Sequence, residues 1–399
     1  MYVPSQQMLK KYADVLIRFA LNDGEGIRPG ETVYFVTQTP GIPLAVEVYR
    51  SILQAGGNPL VHVTDDRFRL IQVQEGSDEQ IRFFPASYYR GLADQIDHYV
   101  RILADEDPLY LKDVDPKKVI ASIRSTKQFR DWLDAKEDAG KFSWTLCLYA
   151  TEGAAREAGL SVEEYWNQIR NACFLDEDDP IAKWRNVVGH MSSILDTLND
   201  MTIDKVHVEA KDTDLWVGIG EKRRWLGGRG RNIPSFEIFT SPDWRQVDGK
   251  VFFDLPLYRY GNIIRDIHLE LKDGKIINAR AGENESLLRE MISQKHADRI
   301  GEFSLTDRRF SRITKFMANT LYDENFGGEY GNTHLAVGKA YHDACSEPLG
   351  SMTEERFKEL GFNDSPEHTD IIATGDRKVT AVLKDGGRKV IYEGGEFQI

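Results

Sequence analysis

Cysteine is scarce in this chain. Cys147, Cys173 and Cys345 are the only three, an odd number, widely separated and without Cys-x-x-Cys spacing. That excludes a disulfide framework and a structural zinc ribbon, and it suits a reducing compartment. Basic charge is also in deficit: Lys and Arg total 51 against 64 Asp and Glu, a formal net charge of −13. Nucleic acids and anionic membranes both need a basic footprint, so neither is an expected partner. No apolar run approaches the ~20 residues of a membrane-spanning helix, and the first residues lack a basic stretch followed by an apolar one. The expectation is a cytoplasmic, soluble protein. Three catalytic signatures are missing as well: a Gly-Lys-Ser/Thr phosphate loop, a serine nucleophile elbow and a His-Glu-x-x-His zinc helix. Gly227-Gly228-Arg229-Gly230-Arg231 imitates a phosphate cradle but does not link a strand to a helix. It reads as a basic loop suited to steering acidic or C-terminal carboxylate groups.

What is present can build two cores. The chain has 399 residues, of which 41% are apolar and 11% aromatic, and that length fits two domains better than one. Residues 7–21 place apolar side chains at helical spacing. Strand, helix and strand follow at 31–37, 43–55 and 59–64, a βαβ unit that predicts a parallel sheet. Helices over 79–96, 127–137 and 161–173 alternate with strands near 98–104 and 144–150. Residues 1–180 are therefore expected to form an α/β domain. The acidic stretch Asp176–Pro180 and a helix over 181–199 read as the hinge region. Beyond it strand signals crowd together at 205–210, 214–219, 249–254, 264–271 and 275–280, with Asp273-Gly274 as a hairpin turn. Helices are expected at 285–295 and 334–345, and a last hairpin turns near Lys384. Residues 181–399 are expected to be a β-rich α+β domain.

Within that second half lie several possible metal ligands. Glu237 and Glu302 sit in apolar surroundings, where Glu is rarely buried without a partner. Glu324 follows Leu321-Tyr322-Asp323, and His334 opens the expected helix, with Tyr341 two turns on and nearly on the same face. His368 and Asp370 stand two apart in a strand-like run, so both project from one face. Each has an ordinary reading alone: a solvated edge pair, an amphipathic helix, or a Glu paired with Arg308 or Arg309. Together they are hard and intermediate donors of the kind a hydrolytic metal site needs. If Glu237, Glu302, Glu324 and Asp370 converge, they bring four negative charges that cannot all ionise uncompensated. Two divalent cations would balance them.

The segments 232–242, 301–302, 321–325, 334–341 and 368–370 occur in the order found in the thermophilic metallopeptidase family, typified by aminopeptidases T and S, which the chain resembles over nearly its whole length. The resemblance implies an α/β domain before a catalytic domain and a metal-dependent exopeptidase that removes N-terminal residues from peptides. It implies metal ligands at Glu237, Glu302, Glu324, His334, His368 and Asp370, with Glu302 bridging two divalent ions. Those ions would be cobalt or zinc, with manganese or magnesium as alternatives, and would activate a water for attack. Tyr341 would be the phenol beside the scissile carbonyl, and the enzyme a homodimer with the β-rich half as interface. The segment between Glu324 and His334 is longer than in typical bacterial members, which brings Glu329 and Tyr330 in as alternatives to Glu324. A mononuclear iron ring-cleaving dioxygenase, with His334, His368 and Asp370 as its triad, is the rival reading.

Overall fold

The computed structural model describes residues 2–228, 230–259 and 261–399. Arg229 of the basic loop lies outside the described residues. The chain divides into two compact units, Met1–Arg185 with Arg229–Pro234, and Asn186–Gly228 with Ser235–Ile399.

The first unit is built on a parallel sheet. Strands β1 (Thr32–Gln38), β2 (Asn58–Thr64), β3 (His98–Leu103) and β4 (Ser143–Leu148) run in the order β2-β1-β3-β4. The short β8 (Asn232–Ile233) adds in parallel beside β4, which is why residues so late in the chain belong to this unit. β1 is Thr-Val-Tyr-Phe-Val-Thr-Gln, β-branched and aromatic residues that fit a pleated, buried surface. The helix Ile42–Gln54 carries Pro43 in its first turn, and Gly56 follows it in the left-handed region at φ +81°. The single helix expected over 79–96 is two, Asp78–Arg82 and Ala86–Gln95, because Pro85 lacks the N–H to continue the first. The helix Asp66–Glu75 buries only Val73, so its sequence has no apolar stripe to announce it.

The second unit is antiparallel. Its larger sheet joins β5 (Ile203–Ala210), β6 (Thr213–Gly218), β10 (Val247–Phe253), β13 (Ile267–Lys272), β14 (Lys275–Arg280), β18 (Arg377–Leu383), β19 (Arg388–Glu393) and β20 (Glu396–Phe397). Along β13, Ile267, Leu269 and Leu271 are buried while His268, Glu270 and Lys272 are exposed, the alternation of a sheet with one face on the core. Asp273 and Gly274 turn the β13–β14 hairpin, both at positive φ (+50° and +75°) as such a turn requires. β11 (Leu257–Arg259) and β12 (Asn262–Ile264) form a separate ribbon. The smaller sheet contains β7 (Leu226–Gly227), β9 (Glu237–Thr240), β15 (Ile300–Thr306), β16 (Asn332–Gly338) and β17 (His368–Ala373), in the order β17-β16-β15-β9-β7.

The helix expected at 334–345 is absent, and the corresponding residues begin within strand β16. Gly331 and Gly338 bracket that strand at positive φ (+57° and +101°), and its seven residues are all buried. A strand covered on both faces shows no two-residue alternation, and the short apolar run imitates a helix. Tyr341 is therefore not two helical turns from His334. It lies beyond the strand, where Lys339 N–H bonds to Glu367 O (2.7 Å) and Ala340 N–H to Asn363 O (2.9 Å). Among the described residues no helix is long and apolar enough to cross a membrane.

Candidate metal centre

Five of the six expected ligands come from four strands of the smaller sheet. Glu302 lies on β15, His334 on β16, His368 and Asp370 on β17, and Glu237 on β9. Their convergence follows from register. Glu302 pairs with Ala336 and Ala336 with Asp370, Ser304 pairs with His334, and Thr306 pairs with Glu237. Directly opposed residues share a face, as do residues two apart on a strand. Glu237, Glu302, His334, His368 and Asp370 therefore all project to one side. Between them that face carries Ser304, Ala336 and Gly338, small residues that leave room above the sheet. Gly301 keeps the strands close: a Cβ there would meet Lys339 O at 2.2 Å and Gly338 O at 2.5 Å. A register shift between Ile300 and Glu302 accompanies this approach.

Glu324 reaches the cluster from another element. It caps the short helix Thr320–Asp323 and is buried. Asn325 ties that helix to β9: its Nδ2 donates to Leu321 O (3.0 Å) and Glu324 Oε1 (3.4 Å), while its Oδ1 accepts from Phe236 N–H (2.5 Å). Asp323 fixes the preceding segment by accepting from Met317 N–H (2.7 Å) and Asn319 N–H (3.0 Å). Burial pushes its carboxyl up to about 8 against those two bonds. Glu329, the alternative to Glu324, is exposed.

The donors form two groups that share one carboxylate. Glu237, Glu302 and His334 offer ligand atoms within 4.8 Å of one another, and so do Glu302, His368 and Asp370. His334 Nε2 lies 3.1 Å from Glu302 Oε1, 3.6 Å from Glu237 Oε2 and 3.9 Å from Asp370 Oδ1. His368 Nε2 lies 3.8 Å from Glu302 Oε2 and 3.5 Å from Asp370 Oδ1. Its Nδ1 contacts Lys339 O at 2.8 Å, an outer bond that fixes the ring as in many metal-ligating histidines. His334 Nδ1 is buried without a hydrogen-bond partner, so that ring is oriented by packing and by its Nε2 contact with Glu302.

Titration reflects the crowding. Burial, reinforced by Glu302 and Asp370, pushes Glu237 up to about 7 even though His334 opposes it. Burial and the charges of Glu237, Asp370 and Glu302 lift Glu324 well above the carboxylate range. Both imidazoles rise to about 9: burial works against this, but Glu302 and Asp370 outweigh it at His334, and Asp370 and Glu302 at His368. Asp370 falls to about 2, since His368 and His334 overcome its burial. Protons here take up the positive charge that divalent cations supply. Four carboxylates and two imidazoles, five of the six on strands of one sheet, fit such ions.

Tyr341 stands over the same face. Its N–H donates to Ser241 Oγ (2.9 Å), and its ring packs against His368 (centroids 4.7 Å apart) and Phe239 (6.0 Å). The residue is 42% exposed, yet desolvation and the nearby charges of Glu302, Asp370, Glu324 and Glu237 raise its phenol well above the usual value. Part of the residue is open to solvent, while the four carboxylates lie close enough to act on its phenol.

The sequence did not point to several supporting groups. Ser235 Oγ donates to Glu237 Oε1 (3.4 Å), and Arg259 Nη2 pairs with Glu367 Oε1 at 2.5 Å, its charge helping to hold Asp370 down. Short polar residues in turns look like any loop, and a lone Arg in a ribbon carries no spacing signal.

Comparison with known proteins identifies relatives along nearly the whole chain. Aminopeptidase T of Thermus thermophilus is 29% identical over 424 residues, with 98% of each chain covered. Aminopeptidase 2 of Geobacillus stearothermophilus is 28% identical over 415 residues, again with 98% of each covered. A solved structure of wild-type AmpT from Thermus thermophilus shares the fold at a TM-score of 0.84, with 24% identity, covering 99% of this chain and 100% of that one. Residues 5–397 match the thermophilic metalloprotease (M29) family. With nearly the whole length matched and the carboxylate–imidazole cluster in place, the chain belongs to the thermophilic metalloprotease (M29) family.

Proposed function

We propose that this protein is an aminopeptidase working through two divalent cations, held by Glu237, Glu302, Glu324, His334, His368 and Asp370 with Glu302 shared. The observation that carries this reading is the division of Glu302: Oε1 faces His334 at 3.1 Å and Oε2 faces His368 at 3.8 Å. Four carboxylates against two neutral imidazoles leave four negative charges, which two such ions neutralise. When bound, the ions polarise the peptide carbonyl and lower the pKa of water from 15.7 towards about 7. Cobalt and zinc suit a site of imidazole nitrogens and carboxylate oxygens better than softer ions do.

The chain's own residues do the rest. The small floor of Ser304, Ala336 and Gly338 leaves the substrate carbonyl space above the sheet. The Tyr341 phenol, protonated at neutral pH, donates from Oη to the oxygen that gains charge as the carbonyl carbon becomes tetrahedral. A substrate's free α-amino group, in its neutral form, would supply a further nitrogen donor at the centre, which favours peptides with an unblocked amino terminus. The ring-cleaving dioxygenase reading gains nothing from this geometry, because Glu302 stands between His334 and His368, where oxygen and substrate would bind. The reading extends to a homodimer acting on peptides in the cytoplasm, where Cys147, Cys173 and Cys345 stay as buried free thiols. The test is hydrolysis of aminoacyl aryl-amides beside their N-acetylated counterparts. Cleavage confined to the free amines supports the assignment, and equal cleavage of both overturns it.

A further inference from the structure

The outer edge of the parallel sheet in the first unit is bare. Strand β2 ends the order β2-β1-β3-β4, and Leu60, Val61, His62 and Val63 are all exposed along it. Strands of a parallel sheet are ordinarily covered on both faces. Beside β2, the helix Ile42–Gln54 turns Ile42, Val46, Tyr49 and Leu53 outward, spaced four, three and four residues apart on one face. These four, with Val61 and Val63, line one groove of about 420 Å³ backed by the buried Phe35. Each of the six is 40–55% exposed. Together they leave on the order of 500 Å² of apolar surface in water, near the upper limit for one patch on a monomer and more than half of the ~800 Å² that each partner of a standard interface buries. Most of the large apolar side chains exposed among the described residues lie within 42–123 of this unit.

Backbone direction decides what can cover this edge. Asn58 N–H donates to Glu31 O (2.8 Å), so the main-chain groups of Asn58 face β1. Main-chain groups alternate in direction along a strand, so those of Leu60, His62 and Thr64 face β1 as well, and those of Pro59, Val61 and Val63 face outward. Pro59 has no N–H to offer. The outward donors of β2 are thus Val61 and Val63, and these two positions are self-complementary. An antiparallel second β2, related by a two-fold axis through His62, sets Val61 of each copy against Val63 of the other and exchanges four N–H···O=C bonds. Charge permits the approach: in a chain of −13, residues 58–63 include no acid. Glu47, the one acid of the helix Ile42–Gln54, is buried and paired with Arg50 (3.3 Å).

We infer that a second copy of this chain covers the edge: β2 pairs with β2 antiparallel about a two-fold axis at His62, and the two helices Ile42–Gln54 close over the seam. The inference rests on the homodimer reading and locates its interface in the first unit, where the resemblance alone pointed to the β-rich half. A two-fold pair uses up both bare edges, so assembly stops at two chains. An extended peptide would satisfy the same backbone groups and leave the helix stripe bare, whereas a second copy covers both.

His62→Cys in the full-length, metal-loaded protein tests the register. Position 62 of one copy opposes position 62 of the other as a non-hydrogen-bonded pair, whose Cα atoms stand ~4.5 Å apart, within the span a disulfide bridges. Mild oxidation should convert this variant to a covalent dimer, while the wild type, whose cysteines are buried, stays uncrosslinked. Sedimentation should show a dimer for the wild type. Val46→Glu combined with Leu53→Glu, both at exposed helix positions, should raise the dissociation constant at least about 30-fold with an unchanged circular dichroism spectrum. A wild type that is monomeric at about 50 μM overturns the homodimer reading and the inference together. A dimer that fails to cross-link in His62→Cys, or that survives the two Glu substitutions, overturns the inference alone. Open-ended growth beyond two chains overturns the two-fold pairing.

Discussion

Replacing Glu302 by Gln preserves the side chain's shape while removing the charge that both ligand groups share. Metal content and turnover should fall together, by more than the same change at Glu324 causes, because Glu324 stands outside both three-residue groups. Elemental analysis and kcat on the same purified samples check the ranking, and near-normal metal and turnover in Glu302→Gln would remove the shared role. Tyr341→Phe separates a different pair of possibilities. If the phenol donates to the developing oxyanion, metal content stays constant, kcat falls by roughly 10²–10³ and KM moves little. A silent substitution would leave Tyr341 as packing against His368 and Phe239, while loss of metal would make it a ligand. The six candidate positions were legible as a set because Glu237 and Glu302 interrupt apolar runs and because the ordered segments resemble a family. Asn325 and Ser235 were not legible: an amide or hydroxyl acts here by hydrogen bonds whose partners lie far away in the chain or in a turn.

Strands decide where those residues meet. β17 was readable from His368-Thr369-Asp370, since an i, i+2 pair on a strand shares a face. β16 was misread because burial on both sides hides the alternation that marks a strand, and the error displaced Tyr341 from its true route to the site. The parallel sheet of the first unit was legible from its βαβ spacing, whereas the helix Asp66–Glu75, with one buried residue, left no trace. Gly301 reports on how closely those strands approach. A methyl group there would sit within 2.5 Å of two main-chain oxygens, so Gly301→Ala must push β15 from the turn after β16. The cost should be about 1–3 kcal/mol in chemical denaturation, with metal affinity reduced because Glu302 moves too. Gly91→Ala is the control: it lies in the helix Ala86–Gln95 with open space around its Cβ position, and it should stabilise by about 0.5–1 kcal/mol. An unchanged denaturation midpoint for Gly301→Ala would show that the strand approach is not tight.

For the molecule as a whole, the metal centre concentrates acidic charge inside a chain already at −13. Removing metal should therefore lower the melting temperature, and the loss should depend on pH. In the metal-free protein Glu237 titrates near 7 instead of 4.5, and His334 and His368 near 9 instead of 6.5. The folded form thus holds protons that the unfolded chain has released. Its stability from these groups is complete below their unfolded values and is lost as pH rises through about 7 and then about 9. Asp370 works in the other direction: its contribution is present above 3.8 and lost as pH falls through about 2. Cations displace those protons, so the melting gap between loaded and metal-free protein should widen from pH 6 to pH 9. A constant gap would contradict a preformed anionic site. A metal titration of the metal-free chain followed by elemental analysis tests the shared Glu302 most directly. Two tightly held zinc or cobalt ions per chain are expected in the wild type, with both lost in Glu302→Gln. One ion per wild-type chain, or two retained after Glu302→Gln, would contradict a centre built around a shared Glu302.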